Sequence, residues 1–66
     1  MKITINGQAK EVNNIANLQD IVNQLCKKNQ RVITELNGGI IKCAQWPTTP
    51  VKEGDAIELV SFVGGG

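Results

Sequence analysis

The residues that could do chemistry are few, and they gather at the C-terminal end. Gly64, Gly65 and Gly66 follow Val63 as the last residues of a 66-residue sequence. Glycine has no Cβ, so three in a row can thread a channel too narrow for other residues. Extended from Val63, this segment reaches ~13 Å at ~3.3 Å per residue, enough to enter another protein's active site. Taken alone, a glycine-rich end also describes an ordinary frayed terminus. The remaining candidates are weaker. Two cysteines, Cys26 and Cys43, have no His beside them, because the sequence contains none. The commonest metal ligand and the usual neutral-pH acid–base residue are therefore both missing. Cys43 has only Lys42 as an adjacent cation, which is thin support for an activated thiolate. Glu35, Glu53, Asp55 and Glu58 show no paired arrangement suggesting acid–base work or a metal cage.

Composition narrows the function classes. Seven Lys and Arg against six Asp and Glu leave a formal charge of +1, too little for a strong electrostatic grip on nucleic acid. No apolar run approaches the ~20 residues of a membrane span, and no secretory signal is visible. The expectation is a cytoplasmic protein with reduced thiols, one domain, no bound metal and no deep ligand cavity.

The elements that must carry the tail follow from pattern. Met1 to Ile5 alternates and is β-branched, with Ile3 and Ile5 on one face. Asn6-Gly7 signals a type I′ hairpin turn, and Gln8 to Val12 returns as a second strand. Asn17 is placed to cap a helix, with Asp20 in its first turn. Leu18, Ile21, Val22 and Leu25 form an amphipathic stripe, and Lys27, Lys28 and Asn29 close the helix. Lys27, Lys28 and Arg31 read as a small solvated basic cluster. Val32 to Asn37 is a third strand, broken by Gly38-Gly39. Ile40-Ile41 is a short apolar pair. Trp46 lies in an irregular segment that Pro47 and Pro50 keep from regular pairing, where it serves as a lid on one end of the core. Lys52-Glu53-Gly54-Asp55 is a turn, and Ala56 to Phe62 is the last strand, burying Ile57 and Leu59. One helix on one face of a mixed sheet is an α+β layer pair whose other face stays largely solvated.

The element order and terminal glycines resemble the β-grasp, the ubiquitin-like fold. The stretch Leu36-Asn37-Gly38-Gly39-Ile40-Ile41, the lone Trp46, the Lys52-Glu53-Gly54-Asp55 turn and the Phe62-Val63-Gly64-Gly65-Gly66 ending are similar to the ThiS family, sulfur carriers of thiamine biosynthesis. The likeness is specific after Val32 and weaker before it. Lys42-Cys43 stands where many relatives carry Val-Pro-Arg or similar, so no role is carried over for a Pro or Arg there. The resemblance implies a β-grasp domain over residues 1–63 and a flexible glycine tail over 64–66. It also implies a carrier rather than an enzyme. The Gly66 carboxylate becomes an acyl adenylate and then a thiocarboxylate (1-thioglycine). Implied partners are an E1-like adenylating enzyme using ATP and magnesium, a cysteine desulfurase sulfur-donor system, and thiazole synthase as acceptor. The carrier itself holds no cofactor and is a monomer when free.

Val60 and Phe62 share the face of the last strand opposite Ile57 and Leu59. With Val63, Gly64 and Gly65 they are the candidate partner-binding residues. The alternative, that Val60 and Phe62 pack on Ile40, Ile41 or Trp46, stays open at this level. Cys26 reads as a small, mostly buried apolar residue. Competing functions are the molybdopterin-synthase small subunit, which would carry sulfur to the molybdenum cofactor, a ubiquitin-like protein modifier, and a plain β-grasp interaction domain.

Overall fold

A computed structural model describes residues 1–26 and 31–62, with Phe62 described by its backbone alone. Strand β1 (Lys2–Ile5) turns through Asn6 and Gly7 into β2 (Gln8–Glu11), and helix α1 (Leu18–Leu25) follows. Strand β3 (Arg31–Leu36) turns through Asn37 and Gly38 into β4 (Gly39–Ile41). A 3₁₀ helix (Cys43–Thr48) leads to the last strand, β5 (Ala56–Phe62). The five strands form one mixed sheet in the order β2-β1-β5-β3-β4. β5 lies at its centre, parallel to β1 and antiparallel to β3. This is the expected α+β arrangement, with the expected helix between the first hairpin and the third strand.

Both hairpins depend on the same chemistry. Asn6 and Gly7 have φ of 49° and 81°, and Asn37 and Gly38 have 51° and 90°. Two successive residues with positive φ make the type I′ turn, whose twist matches that of the flanking strands. The second turn corrects one expectation. Gly38-Gly39 does not simply break β3: Gly38 completes a hairpin, and Gly39 already pairs with Leu36 in β4. Asn37 accordingly sits in the turn, and β3 begins one residue earlier, at Arg31.

Helix α1 starts where the polar pattern indicated. The Asn17 Oδ1 accepts the Asp20 backbone N–H at 2.9 Å, while the Asp20 carboxylate accepts the N–H groups of Ala16 and Asn17 at 2.9 and 3.2 Å. This reciprocal capping box satisfies donors that the first helical turn leaves without partners. Asn17→Ala should therefore cost about 1 kcal/mol, read as a shift in the urea midpoint at constant slope. A loss under a few tenths would show that Asp20 holds the turn alone. The helix ends sooner than the basic cluster suggested: Cys26 is already extended, with φ −119° and ψ 148°. Lys27, Lys28 and Asn29 lie outside the described residues.

Ile3, Ile5, Val12, Leu18, Ile21, Val51 and Ile57 form the core between the helix and one sheet face. Val22 is half-buried and Leu25 exposed, so only the first half of the apolar stripe is sealed. Trp46 closes one end, as its size suggested, but from a 3₁₀ helix rather than an irregular segment. Its indole N–H donates to the Thr34 hydroxyl at 3.0 Å and lies 3.2 Å from the Ile41 carbonyl oxygen. The Thr34 hydroxyl donates in turn to that same carbonyl, at 3.0 Å. Thr34 is fully buried, and this triangle supplies the partners that a buried hydroxyl requires.

Candidate functional site

The candidate site is the end of β5 and the surface beside it. β5 carries two different faces because strand side chains alternate. Ile57 is buried in the core and Leu59 packs against it, whereas Val60 is 47% exposed on the other face. The helix covers only the first face, so the second is open, as expected of a sheet with a single helix. Residues 63–66 lie outside the described residues, as does the Phe62 side chain. The expectations for Val63, Gly64, Gly65, Gly66 and the Phe62 ring therefore lie there too. The Phe62 backbone pairs with Arg31, which keeps β5 in the sheet up to the last described residue.

Register shows what surrounds Val60. Ile33 of β3 lies directly opposite it and is 44% exposed. Ile40 of β4 lies opposite Glu35, one diagonal step from Ile33, and is 68% exposed. Directly opposed and diagonal side chains on one sheet face are within contact range of each other. The three residues thus form one apolar patch on the uncovered face. Ile41 and Trp46 pack against the core, on the other side of the sheet. Val60 therefore does not pack on Ile41 or Trp46, whereas Ile40 shares its face, and the Phe62 side chain of that alternative lies outside the described residues. Ile33 was not singled out in the sequence. Its signal was the strict alternation of β3, which places it opposite in sense to Thr34.

The same register corrects the reading of the acids. Glu35 and Glu58 are direct cross-strand partners on this face. Like charges placed opposite each other are mildly destabilising. It does not make a metal site: among the described residues no group of three or more potential ligands comes together.

The cysteines stay apart from this chemistry. Both are free thiols, Cys43 exposed and Cys26 half-buried. Cys26 is thus less sealed than expected, but burial still pushes its thiol pKa up, which lowers its thiolate fraction. Among the described residues, no helix is long and apolar enough to cross a membrane.

With this geometry in place, the relatives can be compared. The family model described as "ThiS family" matches residues 3–66, nearly the whole chain and including the glycine tail. The crystal structure of the thiamine biosynthesis protein ThiS from Geobacter metallireducens superposes with a TM-score of 0.80 at 31% identity, each chain fully covered. A solution structure of a thiamine biosynthesis protein from the same organism gives a TM-score of 0.80 at 33% identity, covering 100% of this chain and 88% of that one. The uncharacterized protein ycf40 of Trieres chinensis is 34% identical over 62 residues, 94% of this chain and 85% of its own length. A thiazole synthase of Paramagnetospirillum magneticum is 29% identical over all 66 residues, and this chain spans only 20% of that relative. A family match over residues 3–66, with a structural likeness at a TM-score of 0.80 over the full length, places the chain in the ThiS family, the sulfur carriers of thiamine biosynthesis.

Proposed function

We propose that this chain carries sulfur as a thiocarboxylate on Gly66 and delivers it for thiazole formation. The observation that carries the reading is a central strand, β5, followed in sequence by Val63 and Gly64-Gly65-Gly66, in a chain of the ThiS family. A carboxylate is a poor electrophile, so it must first be activated. The Gly66 carboxylate oxygen attacks the α-phosphorus of ATP and pyrophosphate leaves. ATP and its magnesium belong to an E1-like adenylating partner. A sulfur nucleophile then attacks the acyl carbon, and AMP departs with the electron pair of the broken C–O bond. Sulfur at the sulfide level leaves a thiocarboxylate directly. Sulfur delivered as a persulfide from a cysteine desulfurase system leaves an acyl disulfide, which a second thiol must reduce. The chain supplies the handle and its partners supply the catalysis, so it is a carrier rather than an enzyme.

Thiazole synthase is the proposed acceptor. Its support is the relative in which a segment like this chain occupies a fifth of a longer thiazole synthase. The patch of Ile33, Ile40 and Val60, beside the tail, is the proposed docking surface, with Phe62, Val63, Gly64 and Gly65 continuing it into the partner. Exposed apolar residues that cluster rather than scatter mark an interaction site, and the flanking Glu35 and Glu58 favour a partner that brings a basic group.

Two measurements test these readings. Intact-mass analysis of the protein from thiamine-limited cells should show a species with one oxygen replaced by sulfur at the C-terminus. Its absence, even when the adenylating partner and a sulfur donor are supplied in vitro, would sink the carrier reading. Val60→Asp should weaken binding to the adenylating enzyme by about tenfold or more, an expectation drawn from the cost of truncating central interface residues. A melting temperature lowered instead, with binding intact, would make Val60 a structural residue.

A further inference from the structure

The parallel ladder between β1 and β5 is short. Its register pairs are Thr4 with Ala56 and Ile5 with Ile57. The next residue of the first hairpin, Asn6, donates its backbone N–H to the Ile57 carbonyl at 2.9 Å. There β1 turns away, while β5 runs on to Phe62. Beyond that point, among the described residues, only β3 flanks β5 as a strand, which leaves the end of β5 held by a strand on one side.

The Asn6 side chain fills part of that gap. Its Oδ1 accepts the Leu59 backbone N–H at 2.8 Å, and its Nδ2 donates to the Leu59 carbonyl at 3.2 Å. A carboxamide has the same donor and acceptor as a peptide group. It thus adds one further rung to the ladder after the backbone has left it. The turn makes this reach attainable, because Asn tolerates positive φ and the type I′ geometry fixes where its side chain points. Leu59 is three residues before Phe62 and seven before Gly66.

We propose that Asn6 is a positioning residue for the reaction at Gly66: it clamps the outgoing end of β5 and so sets the direction in which the tail leaves the domain. This rests on the carrier reading above. The ~13 Å reach of the tail is counted from the end of β5, so a shift of that root subtracts directly from how far the carboxylate can extend. A displacement of about 1 Å at a reacting group can cost about a hundredfold in rate.

The second hairpin supplies an internal control. Asn37 has the same residue type, the same turn position and the same habit. Its Oδ1 accepts the Ala56 N–H at 2.9 Å, and its own N–H donates to the Ala56 carbonyl at 2.7 Å. It holds the other edge of β5 at the start of the strand, remote from the tail. Asn→Gly at either site keeps a residue suited to positive φ and removes only the side-chain bonds.

The experiment compares Asn6→Gly, Asn37→Gly and the unmodified chain with the adenylating enzyme and ATP, alongside melting temperature and amide hydrogen exchange. Both variants should lose similar stability. Asn6→Gly alone should lower kcat for adenylation by about ten- to a hundredfold with the carrier KM within about twofold, the pattern of a misplaced reacting group rather than lost docking. Exchange at the Leu59 amide should accelerate in that variant and stay slow in Asn37→Gly. Equal kcat in the two variants would overturn the proposal and leave Asn6 a structural residue. An unmodified chain that is never adenylated would remove the carrier reading and with it the positioning role. The exchange measurement then still decides whether Asn6 clamps β5, and unchanged exchange at Leu59 would refute the clamp itself.

Discussion

Removing Gly66 alone should abolish sulfur loading and leave the melting temperature of the domain unchanged. The truncated chain still ends in a glycine carboxylate, at Gly65. Its intrinsic reactivity is therefore unaltered, and what changes is reach, by ~3.3 Å. Reacting atoms must approach to about 3–3.5 Å with aligned orbitals, so a shortfall of one residue takes the carboxylate out of attack range. The expected loss is more than a hundredfold in the initial rate of adenylation, with no sulfur-for-oxygen species by intact mass. Stability is spared because the core runs from Ile3 to Ile57, with Leu59 packed at its margin. Loading of the truncated chain at Gly65 within about tenfold of the full-length rate would show that the partner does not measure tail length. A plain interaction domain would show no dependence on the tail at all. A lysine-conjugated modifier would instead leave an isopeptide remnant of Gly66 on other proteins, and a molybdopterin-synthase subunit would co-purify with a large catalytic partner.

Ile57→Ala should unfold most of the population at 37 °C. Ile57 is almost completely buried in the central strand, and its carbonyl anchors the turn at Asn6. Truncating a buried Ile to Ala costs about 2–5 kcal/mol through lost transfer energy and the cavity left behind. A single small core rarely supplies more than about 3–5 kcal/mol in total, so the two figures are comparable. Here there is no disulfide to make up the difference. The neighbouring Glu58→Ala is the matched comparison. It is exposed and relieves the repulsion with Glu35, so its effect should fall within about 0.5 kcal/mol of zero. Circular dichroism on thermal and urea unfolding reads both variants. An Ile57→Ala domain that stays folded with a loss below about 1 kcal/mol would mean that the core closes around the vacancy.

Much of the fold was legible because local chemistry and global structure agree. Asn6-Gly7 specified a type I′ turn, since few other residue pairs accept positive φ twice in succession. Asn17 and Asp20 specified the helix start through orphan backbone donors that only a nearby oxygen can satisfy. The alternation of β5 separated Ile57 and Leu59 from Val60 before any coordinate was known. Errors arose where the deciding partner is distant in sequence. Gly38-Gly39 looked like a break because the strand that makes it a hairpin is only three residues long. The segment around Trp46 looked irregular because its order comes from Thr34 and Ile41, not from its own pattern.

The site divides along the same line. The sequence alone marked the glycine end as the candidate, because a glycine run after a strand is a property of consecutive residues, and it determined which face of β5 points outward, because strand side chains alternate with a period of two. Only the tertiary structure decided what stands beside that end. Pairing of β3 with both β5 and β4 assembled Ile33, Ile40 and Val60 into one patch and brought Glu35 opposite Glu58. The short β1 ladder turned Asn6 from a turn residue into a clamp on Leu59. These are relations between strands far apart along the chain, set by hydrogen-bond register, and register is fixed when the whole sheet buries one face against its helix.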